Sequence, residues 1–252
     1  MIQSMIVAFS MYSKIPMPKI EWNQNNMKYA LCFFPFVGLV IGAVMYAAMW
    51  LGSKYYIGNL FLSCIVTVIP VLITGGIHLD GYLDTIDALS SYGDREKKLE
   101  ILKDSNSGAF AIIFGLVYFV LSIGIWSEMS LKAMPFIWIS YMMSRTLSGF
   151  SIASFPLAKN TGLAAVFQDG AHKRNVKIIM SIYFMIQAIM MISMNVILGT
   201  AVIVSSMLVF SYHYYVCRKI FGGITGDLAG YFLQICELAD AACLMIICKI
   251  VC

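Results

Sequence analysis

The sequence predicts an all-α protein that crosses a membrane about seven times, and three observations carry that reading. Of its 252 residues 60% are hydrophobic and only 12% charged, with a mean hydropathy of +0.83, against about a quarter charged in a soluble domain. Apolar runs of about 20 residues, the length that spans a hydrocarbon core of about 30 Å, recur along the chain. Short basic segments separate them. The net charge of +4 is not gathered on one basic face, which argues against a nucleic-acid partner.

The opening MIQSMIVAFSMYSKIP lacks a basic start and a small-residue cleavage site, so an amphipathic or re-entrant segment is expected there rather than a secretion signal. Candidate spans follow at 29-51, 57-76, 108-126, 133-155, 177-197, 199-217 and 231-251. The second is short and contains Pro70 and Gly75, and barely a turn, LGT, joins the fifth and sixth, so six to eight crossings fit. No repeat or soluble second domain is evident, and a single transmembrane domain over 1-252 is expected. The seven cysteines lie mostly inside apolar runs without a CxxC pair and read as lipid- or core-facing thiols.

Seven crossings place thirteen of the seventeen lysines and arginines in or beside the N-terminal segment and the loops 77-107, 156-176 and 218-230. Lys54, Lys132 and Lys249 fall on the other side, and Arg145 within a span. Because basic loops stay cytoplasmic, the expectation is a multi-pass protein of the cell membrane with its N-terminus in the cytoplasm.

The acids concentrate on the same side. ITGGIHLDGYLDTIDAL (73-89) carries His78, Asp80, Asp84 and Asp87, and on a helix the three aspartates span about 60° of arc and about 10 Å of rise, one face. Like charges so placed repel. Two readings fit: a solvated face with Arg95, Lys97 and Lys98 as counterions, or a divalent cation on hard oxygen ligands, Mg²⁺ before Mn²⁺. LKDSNSGAF (102-110) sets Lys103, Asp104, Ser105 and Ser107 at the start of the next span, where helix N–H groups favour an anion or are simply capped. Arg145 inside an apolar run needs an ion-pair partner or a substrate phosphate. GGITGDLAG (222-230) brings Thr225 and Asp227, followed by Glu237 and Asp240 on the last span.

Together GGIHLDGYLDTIDAL, DREKKLEILKDSNSGAF and GGITGDLAG resemble, in order and spacing, the signatures of the cobalamin synthase family, the adenosylcobinamide-GDP ribazoletransferases. AFSMYSKIPMP, FFPFVGLVIG and PLAKNTGLAAVF extend the resemblance over nearly the whole chain. Ala88, Asn106 and Lys159 depart from the family pattern, and no role is carried onto Asn106. The resemblance implies the last step of nucleotide-loop assembly: adenosylcobinamide-GDP meets α-ribazole or its 5′-phosphate, GMP departs, and adenosylcobalamin or its 5′-phosphate forms.

Phosphoryl transfer depends on positioning and charge neutralisation, which these residue types supply. The expectation is Mg²⁺, or Mn²⁺, on Asp80, Asp84 and Asp87, with Asp227 or Glu237 completing the shell. Lys103, Arg145 and Lys159 would clamp phosphates, with Asp104 and Thr225 also at the substrate, and His78 or a carboxylate such as Asp84 would take the proton from the attacking hydroxyl. The partners are the two substrates and the bilayer, with a homo-oligomer left open. Of the alternatives, a CDP-alcohol phosphotransferase needs D-x-x-D-G-x-x-A-R, a prenyltransferase a second DxxxD, and a transporter acids near mid-bilayer. The chain lacks the first two patterns and puts nearly all its acids near one surface.

Overall fold

The computed structural model describes residues 1–104, 106–159, 167 and 172–251. Runs of apolar helix formers give long helices that hold Pro35 and Pro70 in their interiors, and among the described residues there are no strands, only an isolated bridge between Leu157 and Ile224. A short helix, α1 (Ile2–Tyr12), and a single turn, α2 (Gln24–Met27), precede the first span, α3 (Ala30–Lys54). The expected N-terminal segment is therefore a helix of 11 residues, too short to cross, packed on α3.

The second expected span ends early. α4 (Asn59–Thr74) has 16 residues and stops at Gly75 and Gly76, both left-handed with φ of 66° and 81°. There the chain bends by 96° into α5 (Ile77–Ser90), the helix on which the three aspartates were expected to share a face, inside the 77-107 stretch expected between spans. Two consecutive positive-φ residues are cheap only for glycine. The acids on α5 thus follow the span without lying in line with it.

α6 (Arg95–Ile101), capped by Asp94, lies beside the end of α5, where Lys98 Nζ donates to the carbonyls of Ala88, Leu89 and Ser91 at 2.9, 3.3 and 2.6 Å. The chain crosses again in α7 (Ala109–Ser127) and turns through a 3-10 segment into α8 (Met134–Ser154). It continues through α9 (Lys173–Met194), α10 (Val196–Tyr215), a π-turn at Val216–Ile220, and α11 (Gly226–Val251). The break between the fifth and sixth expected spans falls at Asn195, whose side chain accepts from the Leu198 N–H at 3.0 Å, rather than at LGT.

Among the described residues five helices are long and apolar enough to cross a membrane: α3, α7, α9, α10 with its π-turn, and α11. This is a multi-pass membrane protein. The fourth expected span, α8, has the length but not the apolarity, and its position explains why. It packs against α3, α9, α10 and α11, with Ser140, Ser144, Arg145, Thr146, Ser148 and Ser151 all buried among them. A helix shielded by others need not match lipid, only its neighbours.

Close packing comes from glycines four apart on α3. A Cβ at Gly38 would lie 2.1 Å from the Tyr141 carbonyl oxygen, and one at Gly42 2.6 Å from Trp138, whose indole donates to the Leu39 carbonyl at 2.7 Å. Lys249 of α11 pairs with Glu128 at the end of α7. At the opposite end of the bundle, Lys14 N–H bonds the Ile73 carbonyl, and the 156–159 and 222–224 segments exchange Ala158 N–H to Ile224 O and Ile224 N–H to Pro156 O. The six described cysteines form no disulfide with one another.

Candidate active site

At that second end α5 crosses the start of α11 with almost no side chain between them. A Cβ on Gly81 would stand 2.8 Å from the Asp227 carbonyl oxygen, and one on Gly230 3.0 Å from that of His78. The glycines of HLDG and GDLAG are thus where the two backbones touch. Asp80 from α5 and Asp227 from α11 consequently line one cavity of about 410 Å³, together with Lys103, Lys159 and Thr225. Four of the expected phosphate and metal residues and the expected Thr225 meet there.

Thr225 Oγ1 also accepts the Leu228 N–H at 3.2 Å, capping α11 and fixing the turn that carries Asp227. Lys159 donates to the Leu99 carbonyl, which ties the 156–159 segment to the end of α6. Burial and then the charge of Lys103 lower its pKa, opposed by Asp227. Two cations held at one cavity wall repel until an anion joins them.

Asp84 stands one turn along α5, half-buried and outside the cavity lining. Burial first, then the charges of Asp80, Asp227 and Asp87, push its carboxyl up to about 6. Neither the Asp80 nor the Asp84 carboxylate accepts a hydrogen bond or forms an ion pair among the described residues. Of the counterions expected for a solvated face, Arg95, Lys97 and Lys98, the last is on backbone carbonyls and Lys97 is on Glu100 at 3.2 Å.

Asp87 has another task. Its carboxylate accepts the Gly108 N–H and, at 2.9 Å, the Ala111 N–H. A Cβ at Gly108 would lie 2.7 Å from either carboxylate oxygen. The helix N-terminus that the LKDSNSGAF segment was expected to offer to a substrate anion therefore holds the protein's own anion, and the glycine is what lets it in. Asp104 is exposed and turned to Asn106, accepting its N–H and its side-chain amide at 2.9 Å each, so it does not reach the cavity. Ser105 and residues 160–166 of PLAKNTGLAAVF lie outside the described residues.

Arg145 and Glu237, expected at the phosphates and the metal, instead pair with each other inside the bundle, 1% and 2% exposed, with Ser144 Oγ 3.1 Å from the same carboxylate oxygen. Asp240, one turn further, accepts from Ser206 at 2.7 Å. Buried charges in a membrane protein need such partners. His78 is buried too, set against Tyr12 and Phe34 with ring centroids 5.9 and 5.6 Å away. Burial, then the Arg145 charge, holds its pKa well below the usual range.

Among the described residues no three His, Cys, Asp or Glu side chains converge on one point. A closed protein cage is therefore not built here. The donor set fits a hard cation of another kind: Mg²⁺ commonly keeps waters and takes one or two carboxylates plus substrate phosphates, and Asp80 and Asp227 face a cavity that also presents lysines.

A family model described as cobalamin-5-phosphate synthase matches residues 4–247. The chain belongs to the cobalamin-5-phosphate synthase family. It is 48% identical over 94% of its length to a protein of Lachnoclostridium phytofermentans named adenosylcobinamide-GDP ribazoletransferase, covering 91% of that protein. A protein of the same name from Clostridium perfringens strain SM101 is 32% identical with 96% of each chain covered, and one from Carboxydothermus hydrogenoformans 27% identical with 94% of each covered. No solved structure matches. The sequence reading did not single out Tyr12, Phe34, Ser148 or Phe167, which complete the cavity of this cobalamin-5-phosphate synthase family member. Aromatics and serines inside apolar runs carry no signal of their own.

Proposed function

We propose that this protein is an adenosylcobinamide-GDP ribazoletransferase, joining adenosylcobinamide-GDP to α-ribazole or its 5′-phosphate with release of GMP. The observation that supports the reading is the single cavity that Asp80 and Asp227 line together with Lys103 and Lys159. A pyrophosphate needs both kinds of neighbour, cations on its oxygens and carboxylates to hold a metal against it.

In this reading a ribose hydroxyl attacks the phosphorus on the cobinamide side, the bond to the bridging oxygen breaks, and GMP leaves with that oxygen. Where α-ribazole 5′-phosphate is the acceptor and its phosphate is retained, the hydroxyl is not the 5′ one. Asp84, one turn along α5 from the cavity with its carboxyl pushed up to about 6, would take the hydroxyl proton where the bound substrate extends along α5 to it, a pKa suited to a general base near neutral pH. Lys103 and Lys159 bind phosphate oxygens. Asp80 and Asp227 would hold Mg²⁺, or Mn²⁺, which supplies charge neutralisation at the transferring and leaving groups when bound. Arg145 and Glu237 take no part in contact with substrate. A cavity of about 410 Å³, at the small end of ligand pockets, accepts a riboside and phosphates while the corrin ring stays outside.

The protein's place in this reading is the cell membrane, N-terminus and cavity toward the cytoplasm, because thirteen of seventeen basic residues lie on that side. Cysteines introduced at Lys54 or Lys132 then react with an impermeant reagent on intact cells, and those at Lys97 or Lys173 do not. Labelling at Lys97 from outside reverses the orientation. The activity is tested with purified protein in detergent, adenosylcobinamide-GDP, α-ribazole and MgCl₂: GMP appears in step with the joined corrinoid. Absence of GMP with every component present refutes the reading.

A further inference from the structure

The cavity has two ends of different chemistry. The acids and lysines stand where α5, α6 and the loops meet, whereas Ser148 lies six residues inside the C-terminal end of α8, about 9 Å along the axis, and Leu233 seven residues into α11. Around this inner end are rings. Tyr12 and Phe34 have centroids 4.1 Å apart, and Tyr12 and Phe167 are stacked at 5.8 Å with 15° between planes. Tyr12, Phe34 and Phe167 are all buried and all line the cavity.

Two polar atoms among these apolar walls have no partner: His78 Nε2 and Ser148 Oγ. Both residues line the cavity, exposed by only 5% and 0%. A buried polar group without a hydrogen bond is costly to keep, and an aromatic slot with two such groups at its end is a site waiting for a planar ligand with few polar atoms.

We propose that this inner end seats the aromatic base of the riboside, with Tyr12, Phe34 and Phe167 as apolar walls and Ser148 or His78 donating to its one free ring nitrogen. The inference rests on the ribazoletransferase reading and adds the residues that select the base. An N-ribosylated dimethylbenzimidazole has one acceptor nitrogen and two methyl groups, which matches a slot offering the hydroxyls of Ser148 and Tyr12, one imidazole and otherwise carbon. Guanine carries several donors and acceptors on one edge and needs carboxylate or amide partners, and the acids of the cavity lining, Asp80 and Asp227, are the ones assigned to the pyrophosphate. The base at the inner end leaves its ribose toward Asp80 and Asp227, where the pyrophosphate is expected.

The test compares two ligands on the wild-type protein in detergent by their intrinsic fluorescence: α-ribazole and the matching dimethylindole riboside, in which the free ring nitrogen is a CH. α-Ribazole is expected to bind about tenfold more tightly, a loss typical of one unmade hydrogen bond. In Ser148→Ala or His78→Phe that preference falls below threefold, and in turnover the KM for α-ribazole rises about tenfold while that for adenosylcobinamide-GDP stays within twofold. Equal binding of the two ribosides by the wild type overturns the proposal, as does a preference that persists in both variants or competition by guanosine at the same concentration as α-ribazole. Should the variants not fold, the wild-type ligand pair alone decides. Binding with the expected preference but no GMP release keeps the base seat and sinks the transferase reading instead.

Discussion

Asp84 and Asp87 lie three residues apart on one face of α5 and yet stand in opposite surroundings. Asp87 has two backbone N–H groups of α7 on its carboxylate, as Glu237 has Arg145 and Asp240 has Ser206. Asp80 and Asp84 have each other and Asp227 for company, and repulsion from these neighbours is part of what raises the Asp84 carboxyl. A carboxylate with a protein partner is part of the framework. Carboxylates crowded together without one repel, so the partners separate acids that the spacing alone treats as equals.

The sharpest way to break this division is Asp84→Asn. GMP release should fall at least a thousandfold, about 4 kcal/mol of transition-state stabilisation, while the protein folds and melts as before or slightly higher. A chelator should abolish turnover with little change in melting. Near-normal turnover in the variant, or full activity after exhaustive metal removal, would show that the unpartnered acids have no catalytic task.

Next in size comes the buried pair. Arg145→Met or Glu237→Leu alone leaves one uncompensated charge in the bundle and should cost about 3 kcal/mol of stability, read as a lower unfolding temperature in detergent. The double variant should recover most of it. If the double variant is no more stable than the singles but loses turnover specifically, Arg145 and Glu237 belong to the reaction rather than to the framework.

A smaller effect is expected at Asp87, where replacement by Ala removes a helix cap worth about 1 kcal/mol and Asn, which keeps one acceptor oxygen, costs less. Turnover should drop less than tenfold in Asp87→Asn. A loss as large as that of Asp84→Asn would return Asp87 to the metal.

The smallest effect is in pH. Burial and the neighbouring carboxylates push the folded Asp84 carboxyl up from the ordinary 3.8 to about 6, so the folded state binds this proton more tightly than the unfolded chain. Its contribution to stability in metal-free protein is therefore largest at low pH and declines as pH rises from about 4 through about 6. The difference in melting temperature between wild type and Asp84→Asn should follow that course and disappear when saturating Mg²⁺ is present at neutral pH. A difference that does not vary with pH contradicts the crowded-acid account.

Much of this was legible in the sequence. Length and apolarity located the spans, and the i, i+4, i+7 spacing placed the three aspartates on a helix face, as α5 confirms. The spacing could not tell that Asp87 faces the first turn of α7, because its partners are backbone N–H groups that have no letter in the sequence. Arg145 and Glu237 are 92 residues apart, and nothing local says that each is the other's counterion. α8 read as one more apolar run, and its serines show their purpose only once four helices enclose it. Gly81 and Gly230 stood inside quoted motifs, but their use, letting two backbones meet, depends on a crossing between distant elements.

The 96° turn at Gly75 and Gly76 also bears on how the protein is made. All the carboxylates of α5 come after the turn, so the hairpin of α3 and α4 can enter the bilayer during synthesis without drawing a single aspartate into hydrocarbon, where each would cost about 2.5–3.5 kcal/mol on insertion scales. Straightening that corner, for instance with alanines at both positions, would prolong α4 in the direction of its axis and set Asp80 on a continuous rod. Two residues without side chains thus keep the assembly of the membrane anchor independent of the charge that the reaction requires.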